Sequence, residues 1–366
     1  MHLGEALAQW RWLMNYLRQA LILRHSRDAG PIHVLFCMAD HFEPGGAGIS
    51  VETMIARVDR WVRAYPLVAA GHRDSDGMPP RHTFFYPAEQ YTPNLLERLA
   101  GLVRGGWGEI EVHLHHDRDS SAGFREKIEE FKARLLSHGL LGREVNTSTA
   151  RYGFIHGNWA LDNSAANGRW CGVSGELKIL RETGCYADFT LPSAPSETQT
   201  RKINAIYYAT GDPARAKGHD TGIDVRVGGK EQGDIMLIQG PLALDWRRRK
   251  YGLLPRIEVG AITPANPGTA ARARLWLARR IHVRGRPDWV VVKVHTHGAA
   301  EDEAEHLLGG GLGMLWGALE SEFKGAASYR LHYVTARELY SIVKAAEEGL
   351  TGDPSTYRNY RLTLPK

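Results

Sequence analysis

Short apolar runs alternate with amphipathic segments along most of this chain. Seven runs have the length and the β-branched or aromatic content of buried strands: residues 32–39, 82–87, 109–115, 151–157, 185–191, 289–298 and 330–335. Between them, apolar positions recur at helical spacing, as in the segment with Phe124, Ile128, Phe131 and Leu135. Near-continuous apolar strands separated by amphipathic helices predict a parallel sheet that is covered on both faces.

Local signals mark the ends of several helices. Ser50 is a suitable N-cap for the helix that follows it. Gly184 follows "ELKILRET" and is the residue type that most often closes a helix with a left-handed φ. Thr335 and Glu338 have the spacing of a capping box and predict the start of the last helix.

The number of strand–helix units favours one of two architectures. Seven strand–helix units predict a closed or nearly closed (β/α)7 barrel, a distorted TIM-like barrel, and a doubly wound open sheet is the alternative. No GxGxxG follows a predicted strand and there is no phosphate loop, so the nucleotide-binding folds lack their signature.

The regular alternation breaks between residues 192 and 262. Two apolar runs in this segment, "DIMLIQGP" and "RIEVGAI", predict a hairpin or an excursion around the basic run "RRRK" at 247–250. We therefore predict one barrel domain over residues 31–348 with the excursion 192–262 inserted, and a C-terminal tail over residues 349–366.

The first 30 residues are amphipathic and basic. Arg11, Arg18 and Arg24 interrupt their apolar stretches, which argues against a membrane-spanning helix and a cleaved signal peptide. We expect an uncleaved amphipathic helix that packs on the domain. Basic helices that carry tryptophan also lie on membrane surfaces, so peripheral membrane contact is the alternative.

Composition narrows the class of protein. With 366 residues, 43% of them hydrophobic, the chain can bury a sizeable core. The net charge of +5 comes from scattered lysine and arginine without the basic–aromatic alternation of nucleic-acid binders, so we expect no nucleic-acid partner. Cys37, Cys171 and Cys185 show no CxxC spacing; we expect reduced thiols in a cytoplasmic protein and no cysteine-based zinc site.

Polar side chains gather where the predicted strands end, which is where sites form in parallel α/β proteins. Eight of the seventeen histidines lie there with several carboxylates, in a set made up of Asp40, His41, Glu43, His113, His115, His116, Asp117, His156, Asp188, His295, His297 and His332. Alternate residues of a strand share a face, so His113 and His115 point the same way, about 7 Å apart. Together with Asp40 they would supply an N,N,O set suited to zinc or a similar divalent ion, whose open position activates water.

At these residues the chain resembles a known family. The run "GEIEVHLHHD" (108–117) is similar to the second motif of the polysaccharide deacetylases, also called NodB-homology proteins or family-4 carbohydrate esterases. Other family motifs have counterparts in "CMADHFEP" (37–44), "FIHGNW" (154–159), "YADFTLPS" (186–193) and "VKVHTHG" (292–298). The resemblance implies a distorted (β/α)7 barrel, a metal held by an aspartate and two histidines, and deacylation of a glycan such as an exopolysaccharide.

The resemblance leaves the metal ligands and the catalytic base open. His113 matches the first histidine of the second motif, whereas the second histidine falls on Asp117, with His115 between them, so both are candidates. The family's paired aspartates are reduced to Asp40. If Asp40 is a ligand, Glu43 is the candidate base; if Asp40 is the base, His41 could be the ligand.

The remaining roles follow the later motifs. His295 is the closest match to the late-strand histidine that acts as general acid in the family. The candidates for substrate binding are His156, Asn158, Trp159, Asp188 and His297.

Three functions fit these residues. The leading one is metal-dependent removal of N-acetyl or other acyl groups from a polysaccharide or glycan precursor. A second is glycoside hydrolysis by strand-end carboxylates, drawn from Asp40, Glu43, Glu89 and Asp188. A third is a non-catalytic glycan-binding or assembly protein on the same barrel.

Overall fold

The structure is a computed structural model that describes residues 11–23, 30–325 and 327–365. Its strands are β1 (Ile32–His41), β2 (His82–Pro87), β3 (Gly108–Leu114), β4 (Gly142–Glu144), β5 (Ala150–His156), β6 (Cys185–Asp188), β7 (Ile206–Ala209), β8 (Ile223–Asp224), β9 (Ile235–Ile238), β10 (Ala243–Lys250), β11 (Leu254–Glu258), β12 (Trp289–Thr296), β13 (Tyr329–Tyr333) and β14 (Leu362–Thr363). Its α-helices are α1 (Arg11–Leu23), α2 (Val51–Ala69), α3 (Pro93–Arg104), α4 (Ser121–Ser137), α5 (Glu176–Thr183), α6 (Ala270–Leu277), α7 (Glu301–His306), α8 (Leu312–Phe323) and α9 (Ala336–Glu347).

Most of the strands belong to one large, mainly parallel sheet. Its order is β12-β1-β2-β3-β5-β6-β9-β7-β8, and β13 pairs with the first half of β1. Neighbouring strands from β12 to β9 run parallel, whereas β7 is antiparallel to both of its neighbours. The α/β class with a large parallel sheet is therefore confirmed. Within the described residues no ladder joins the two ends of this order, so closure into a barrel is not shown.

The segment 192–262 is partly built into the main sheet rather than standing outside it. The run "IMLI" forms β9, all four residues are buried, and the strand pairs with β6 and β7. Four consecutive apolar side chains point to both faces of a strand, so they can be buried only inside a covered sheet. A hairpin is present as predicted, but its strands are β10 and β11, which form a separate two-stranded sheet.

Alternation along β1 divides its side chains between two cores. Phe36 and Met38 belong to the larger cluster, which includes residues of the covering helices, and Leu35 and Cys37 belong to a second cluster. Successive side chains of a strand point to opposite faces. The alternation therefore predicts that Asp40 and His41 face different surroundings at the end of β1.

The helix ends follow the predicted capping signals. The Ser50 side chain accepts a hydrogen bond from Thr53 N, and Gly184 has φ 97° at the end of α5. Thr335 and Glu338 form both bonds of the capping box at the start of α9. These local signals are confirmed because each uses only residues close together in the chain.

Both ends of the described chain pack on the domain. The buried Trp12 and Tyr16 of α1 share an apolar cluster with Leu242 and Ala243, and the predicted helical residues 1–10 and 24–29 lie outside the described part. Residues beyond 348 are folded onto the domain rather than trailing from it, since β14 pairs with β4. None of the helices in the described ranges has the length and apolar character needed to cross a bilayer.

Candidate functional site

Five ligand-type side chains meet near the carboxyl ends of β1, β3 and β12. They form two overlapping groups, Glu43 with His113 and His115, and Glu43 with His41 and His297; within each group the donor atoms lie within 4.8 Å of one another. We call these five residues the strand-end cluster. Glu43 belongs to both groups and is therefore at the centre of the strand-end cluster.

The contacts of His113 leave one ring nitrogen directed at Glu43. His113 Nδ1 lies 2.9 Å from the carbonyl oxygen of Ile155, and its Nε2 lies 2.9 Å from Glu43 Oε1. A carbonyl only accepts, so Nδ1 carries the proton. Nε2 then faces the carboxylate either as a second N–H group or as a lone pair available to a cation.

His115 lies between two carboxylates. Its Nδ1 is 2.6 Å from Glu89 Oε1 and its Nε2 is 3.5 Å from Glu43 Oε1. Burial acts to lower the pKa of His115, but the two glutamates outweigh it and raise that pKa. Burial likewise acts to raise the pKa of Glu43, and the bond to His113 with the neighbouring histidines holds that pKa below its usual value.

His41 lies on the buried side of the strand-end cluster. Its ring centroid is 4.9 Å from that of His297 and 5.1 Å from that of His113. The rings of His295 and Trp159 are also near, at 5.9 and 5.7 Å. Burial, followed by the surrounding cationic groups, lowers the pKa values of His41 and His295 well below the usual range, so both rings are neutral at neutral pH.

The structure does not bring the two predicted aspartate ligands into this cluster. Asp40 accepts hydrogen bonds from His82 Nε2 at 2.8 Å and from Gly298 N at 2.6 Å. It points away because neighbouring residues of β1 alternate, and His41 takes the inward position. Asp117 is exposed and accepts a bond from Trp170 N at 2.5 Å. Neither aspartate belongs to any metal-capable group in the described residues.

The predicted substrate-binding residues separate into different surroundings. Trp159 and His297 have their rings 5.8 Å apart beside the strand-end cluster, and Asn158 is exposed next to them. Asp188 is buried and accepts bonds from the hydroxyl and backbone N of Thr190; burial raises its pKa to about 7. His156 belongs to another group.

That group, which we call the buried cluster, consists of His116, His156, Cys171 and Glu176. His116 Nε2 lies 2.9 Å from His156 Nε2 and 3.2 Å from Glu176 Oε1. Glu176 Oε2 lies 3.7 Å from Cys171 Sγ. All four residues are buried, and their donor atoms lie within 4.8 Å of one another, so the group can hold a metal ion.

Burial controls the charge of the buried cluster. It lowers the pKa values of His116 and His156 to about 4 and raises those of Cys171 and Glu176. Without a bound cation, each group therefore favours its neutral form.

The sequence indicates His116 and His156 of the buried cluster, but neither Cys171 nor Glu176, as site residues. Cys171 has no CxxC spacing, and Glu176 is the first residue of an ordinary helix. Its members are 40, 15 and 5 residues apart in the chain. Such spacing matches no metal-binding motif, so only the fold reveals the set. The sequence indicates Glu89, the partner of His115, only as one of the carboxylates of the glycosidase alternative.

A large cleft lies elsewhere, at the amino ends of β5, β6 and β9. Its volume is about 830 Å³, and its lining includes Arg151, Tyr186, Tyr340 and Lys344. Lys344 is already paired with glutamates. We assign the candidate site to the strand-end cluster despite the size of this cleft, because the cluster's donor atoms converge at the carboxyl ends of the parallel strands, where sites form in such sheets.

Comparison with known proteins adds no relative. A scan against protein-family models finds no match, and a search of curated proteins finds no similar sequence.

Proposed function

We propose that the protein is a metal-dependent hydrolase that removes N-acetyl or other acyl groups from a glycan. The observation that carries this proposal is the partly exposed donor set of Glu43, His113 and His115, whose donor atoms lie within 4.8 Å. The side chains of Glu43 and His115 are 26% and 30% exposed, so a substrate can reach the set. Catalytic zinc sites use three protein ligands and keep one position open, which this set matches.

The donor chemistry fits a divalent ion, and zinc is the first candidate. Two imidazoles and one carboxylate are a ligand set that zinc uses in hydrolases. When bound, such an ion polarises the acyl carbonyl and lowers the pKa of water toward neutrality. We therefore replace the ligands expected from the sequence, Asp40 and Asp117, by Glu43, and retain His113 and His115.

The other residues of the site would orient the substrate and move protons. Asp40 is bound to His82 and Gly298, and Glu43 is assigned to the metal, so the neutral imidazole of His41 next to Glu43 is the better proton acceptor. His295, which is also neutral, lies beside His41 and would receive the proton taken from water and pass it to the leaving amine or alcohol. Trp159 offers an aromatic surface next to His297, on which a sugar ring could stack.

Contacts at the edge of the sheet support the barrel that the resemblance to polysaccharide deacetylases implies. The outer edge of β12 meets the segment before α6, where Ile262 N donates to His295 O at 2.8 Å and His295 N donates to Gly260 O at 3.0 Å. The Lys293 ammonium of β12 donates to Leu191 O, just after β6, at 2.7 Å. We propose that these contacts close a distorted (β/α)7 barrel whose carboxyl end carries the strand-end cluster.

An acetate-release assay tests the proposal. The metal-loaded protein should release acetate from acetylated amino-sugar oligomers, and a chelator should abolish the release. Glu43→Gln should lower the rate by about a hundredfold or more. Glu97→Gln is the matched control, because Glu97 also contacts a histidine, His138, at 2.9 Å, but on the surface.

The alternatives give different results. Cleavage of the glycan chain without acetate release, independent of metal, would indicate a glycosidase that uses carboxylates such as Glu43 and Glu89. Glycan binding without release of acetate or sugar would indicate the binding-protein alternative.

A further inference from the structure

We propose that the buried cluster of His116, His156, Cys171 and Glu176 is a second, structural zinc site. It offers two imidazoles, a thiolate and a carboxylate, and zinc binds each of these donor types. Four protein ligands leave no open position, which is the mark of a structural rather than a catalytic site. The inference does not depend on the function proposed for the strand-end cluster.

The donor distances fit a tetrahedral ion. Bonds of about 2.1 Å place tetrahedral ligands about 3.4 Å apart. The observed separations are 2.9 Å between the two histidine Nε2 atoms, and 3.2 and 3.4 Å from these atoms to Glu176 Oε1. Only small shifts would place an ion between them.

The hydrogen bonds of His156 direct its free nitrogen into the cluster. His156 Nδ1 lies 2.5 Å from the carbonyl oxygen of Gly157, so the proton of the neutral ring is on Nδ1. Its Nε2 lone pair then faces His116 Nε2. Donation of the other ring nitrogen to a carbonyl is the usual arrangement for a histidine that binds a metal.

His116 is better satisfied with a metal than without one. Its Nδ1 is buried, makes no hydrogen bond in the described structure and lies 3.4 Å from Asp119 Oδ2. If His116 carries its proton on Nε2, as an empty site requires, Nδ1 presents a lone pair to a carboxylate. With an ion on Nε2 the proton moves to Nδ1, and His116 gains the carboxylate–histidine–metal arrangement.

Cys171 and Glu176 are prepared for a cation in the same way. The backbone N–H groups of Asn163 and Val173 point at Cys171 Sγ from 3.3 and 3.4 Å, which favours a thiolate. Glu176 is fully buried, and within the described ranges no lysine or arginine is paired with it. A buried carboxylate needs a compensating charge.

The proposed ion would fasten an irregular loop to the sheet. The residues between β5 and α5 include six non-glycine residues with left-handed backbone: Asn158, Trp159, Asp162, Asn163, Asn167 and Trp170. Such conformations persist where the surroundings impose them. The cluster joins both ends of this loop to the end of β3, which holds the loop over the strand-end cluster.

Cobalt substitution of the full-length protein tests the site. Cobalt bound to a thiolate has a near-ultraviolet charge-transfer band, and Cys171 is the only cysteine in the metal-capable groups found in the described residues. The wild type should show the band, and Cys171→Ser should lose it and bind zinc at least about a hundredfold more weakly. Cys185→Ser is the matched control, a buried cysteine outside the cluster, and should keep the band.

Further outcomes separate this site from the strand-end cluster. His113→Ala should keep the band even if activity is lost or was never present. If Cys171→Ser does not fold, Glu176→Gln should still weaken zinc binding in a chelator competition. A cobalt-loaded wild type without the band, or a Cys171→Ser protein that retains it, would overturn the proposal.

A different observation concerns the surface of the β10–β11 hairpin. Four bulky side chains near its tip are largely exposed: Trp246, Tyr251, Leu253 and Leu254, at 57%, 82%, 76% and 61%. Residues 246–256 contain five basic residues and no acidic one. The base of the hairpin is fastened to α1, since Leu244 N donates to Tyr16 Oη at 3.3 Å. On α1, Met14 and Leu17 are also exposed, at 61% and 51%.

We infer that the hairpin tip and the exposed face of α1 bind an anionic lipid bilayer. Tryptophan, tyrosine and leucine insert at the boundary between headgroups and acyl chains, and the surrounding arginine and lysine residues attract anionic headgroups. This surface places the membrane contact mainly on the hairpin rather than on the N-terminal helix alone.

Vesicle sedimentation tests this surface. The full-length protein should bind vesicles that contain phosphatidylglycerol, bind pure phosphatidylcholine vesicles much less, and dissociate at high salt. Trp246→Ala and Leu253→Ser should each weaken binding by about tenfold. Leu67→Ser is the control, because Leu67 is 79% exposed on α2. Absence of vesicle binding would overturn the inference. Variants that bind vesicles as well as the wild type, or a wild type that binds a soluble polyanion as well as it binds vesicles, would also overturn it.

Discussion

The strand-end cluster and the buried cluster each take a ligand from two consecutive residues of the chain, yet they differ in exposure and in number of donors. His115 belongs to the first and is partly exposed, whereas His116 belongs to the second and is buried. The strand-end cluster shares one glutamate between two incomplete donor groups. The buried cluster has four donors of three chemical types and no exposed member.

The difference shows that solvent exposure determines whether similar ligands can serve a catalytic or a structural metal site. An open set can admit water and substrate, so its ligands can take part in a reaction. A closed set excludes both, so a bound ion can contribute only to folding and to the position of the loop. Changes in the first cluster should therefore alter activity more than stability, and changes in the second should do the reverse.

The largest expected effect is on activity after loss of a strand-end ligand. His113→Ala should lower acetate release by more than about 10⁴-fold, because it removes the metal as well as one catalytic group. Elemental analysis should show less metal per chain, with the unfolding free energy much less affected. His138→Ala, which changes a histidine bound to Glu97 outside both clusters, should leave acetate release and metal content unchanged. Full activity of His113→Ala would contradict the assignment of activity to the strand-end cluster.

A smaller loss of activity is expected at His295. His295→Ala should reduce acetate release by about 10²–10⁴-fold with unchanged metal content, since it removes only proton transfer. Comparison of rates and metal content for the variant and the wild type checks this. If the metal is lost as well, His295 is a ligand and the proton donor is another residue.

Removal of the metal should affect stability through the buried cluster. With free zinc about 1,000-fold above its dissociation constant, binding adds about 4 kcal/mol to the unfolding free energy. Denaturant unfolding with and without a chelator should show this difference for the wild type and for His113→Ala. The difference should be much smaller for Glu176→Gln. An equal chelator effect on Glu176→Gln would assign the stabilising ion to another place.

The smallest effect, when measured per pH unit, is expected at Asp188, a buried carboxylate outside the metal-capable groups of the described residues. The pKa of Asp188 rises from 3.8 to about 7 on burial, so the folded state holds a proton that the unfolded state has released between these values. Stability should therefore fall as pH rises through this range, by about 1.4 kcal/mol per pH unit. Asp188→Asn should flatten this part of the stability profile by that slope, as measured by unfolding at several pH values. An unchanged slope would show that Asp188 is ionised throughout.

The strands and helix caps that depend on local sequence pattern could be predicted from the sequence. The strands β1, β2, β3, β5, β6, β12 and β13, the cap at Ser50 and the capping box at Thr335 follow from hydrophobic period and residue type. The pairing of β9 with β6 could not be predicted, because "IMLI" is an apolar run without a clear period and its partners are distant in the chain.

The candidate site was predictable only in outline. Strand alternation correctly placed His113 and His115 on one face. The family spacing favoured Asp117, which is exposed, and the expected strand-one ligand Asp40 is turned toward His82. The position of Glu43 depends on the turn after β1, and Cys171 reaches His116 only through the loop after β5. Loop paths of this kind depend on tertiary contacts that residue spacing does not encode.

The adjacency of His115 and His116 limits how this stretch of chain can change. Because side chains alternate, deleting one residue within β3 would place Leu114 at the position of His113, His116 at that of His115 and Asp117 at that of His116. Both sets would lose a ligand at once, although no ligand had been substituted. The end of β3 should therefore tolerate many single substitutions between its ligands, but no change in its length.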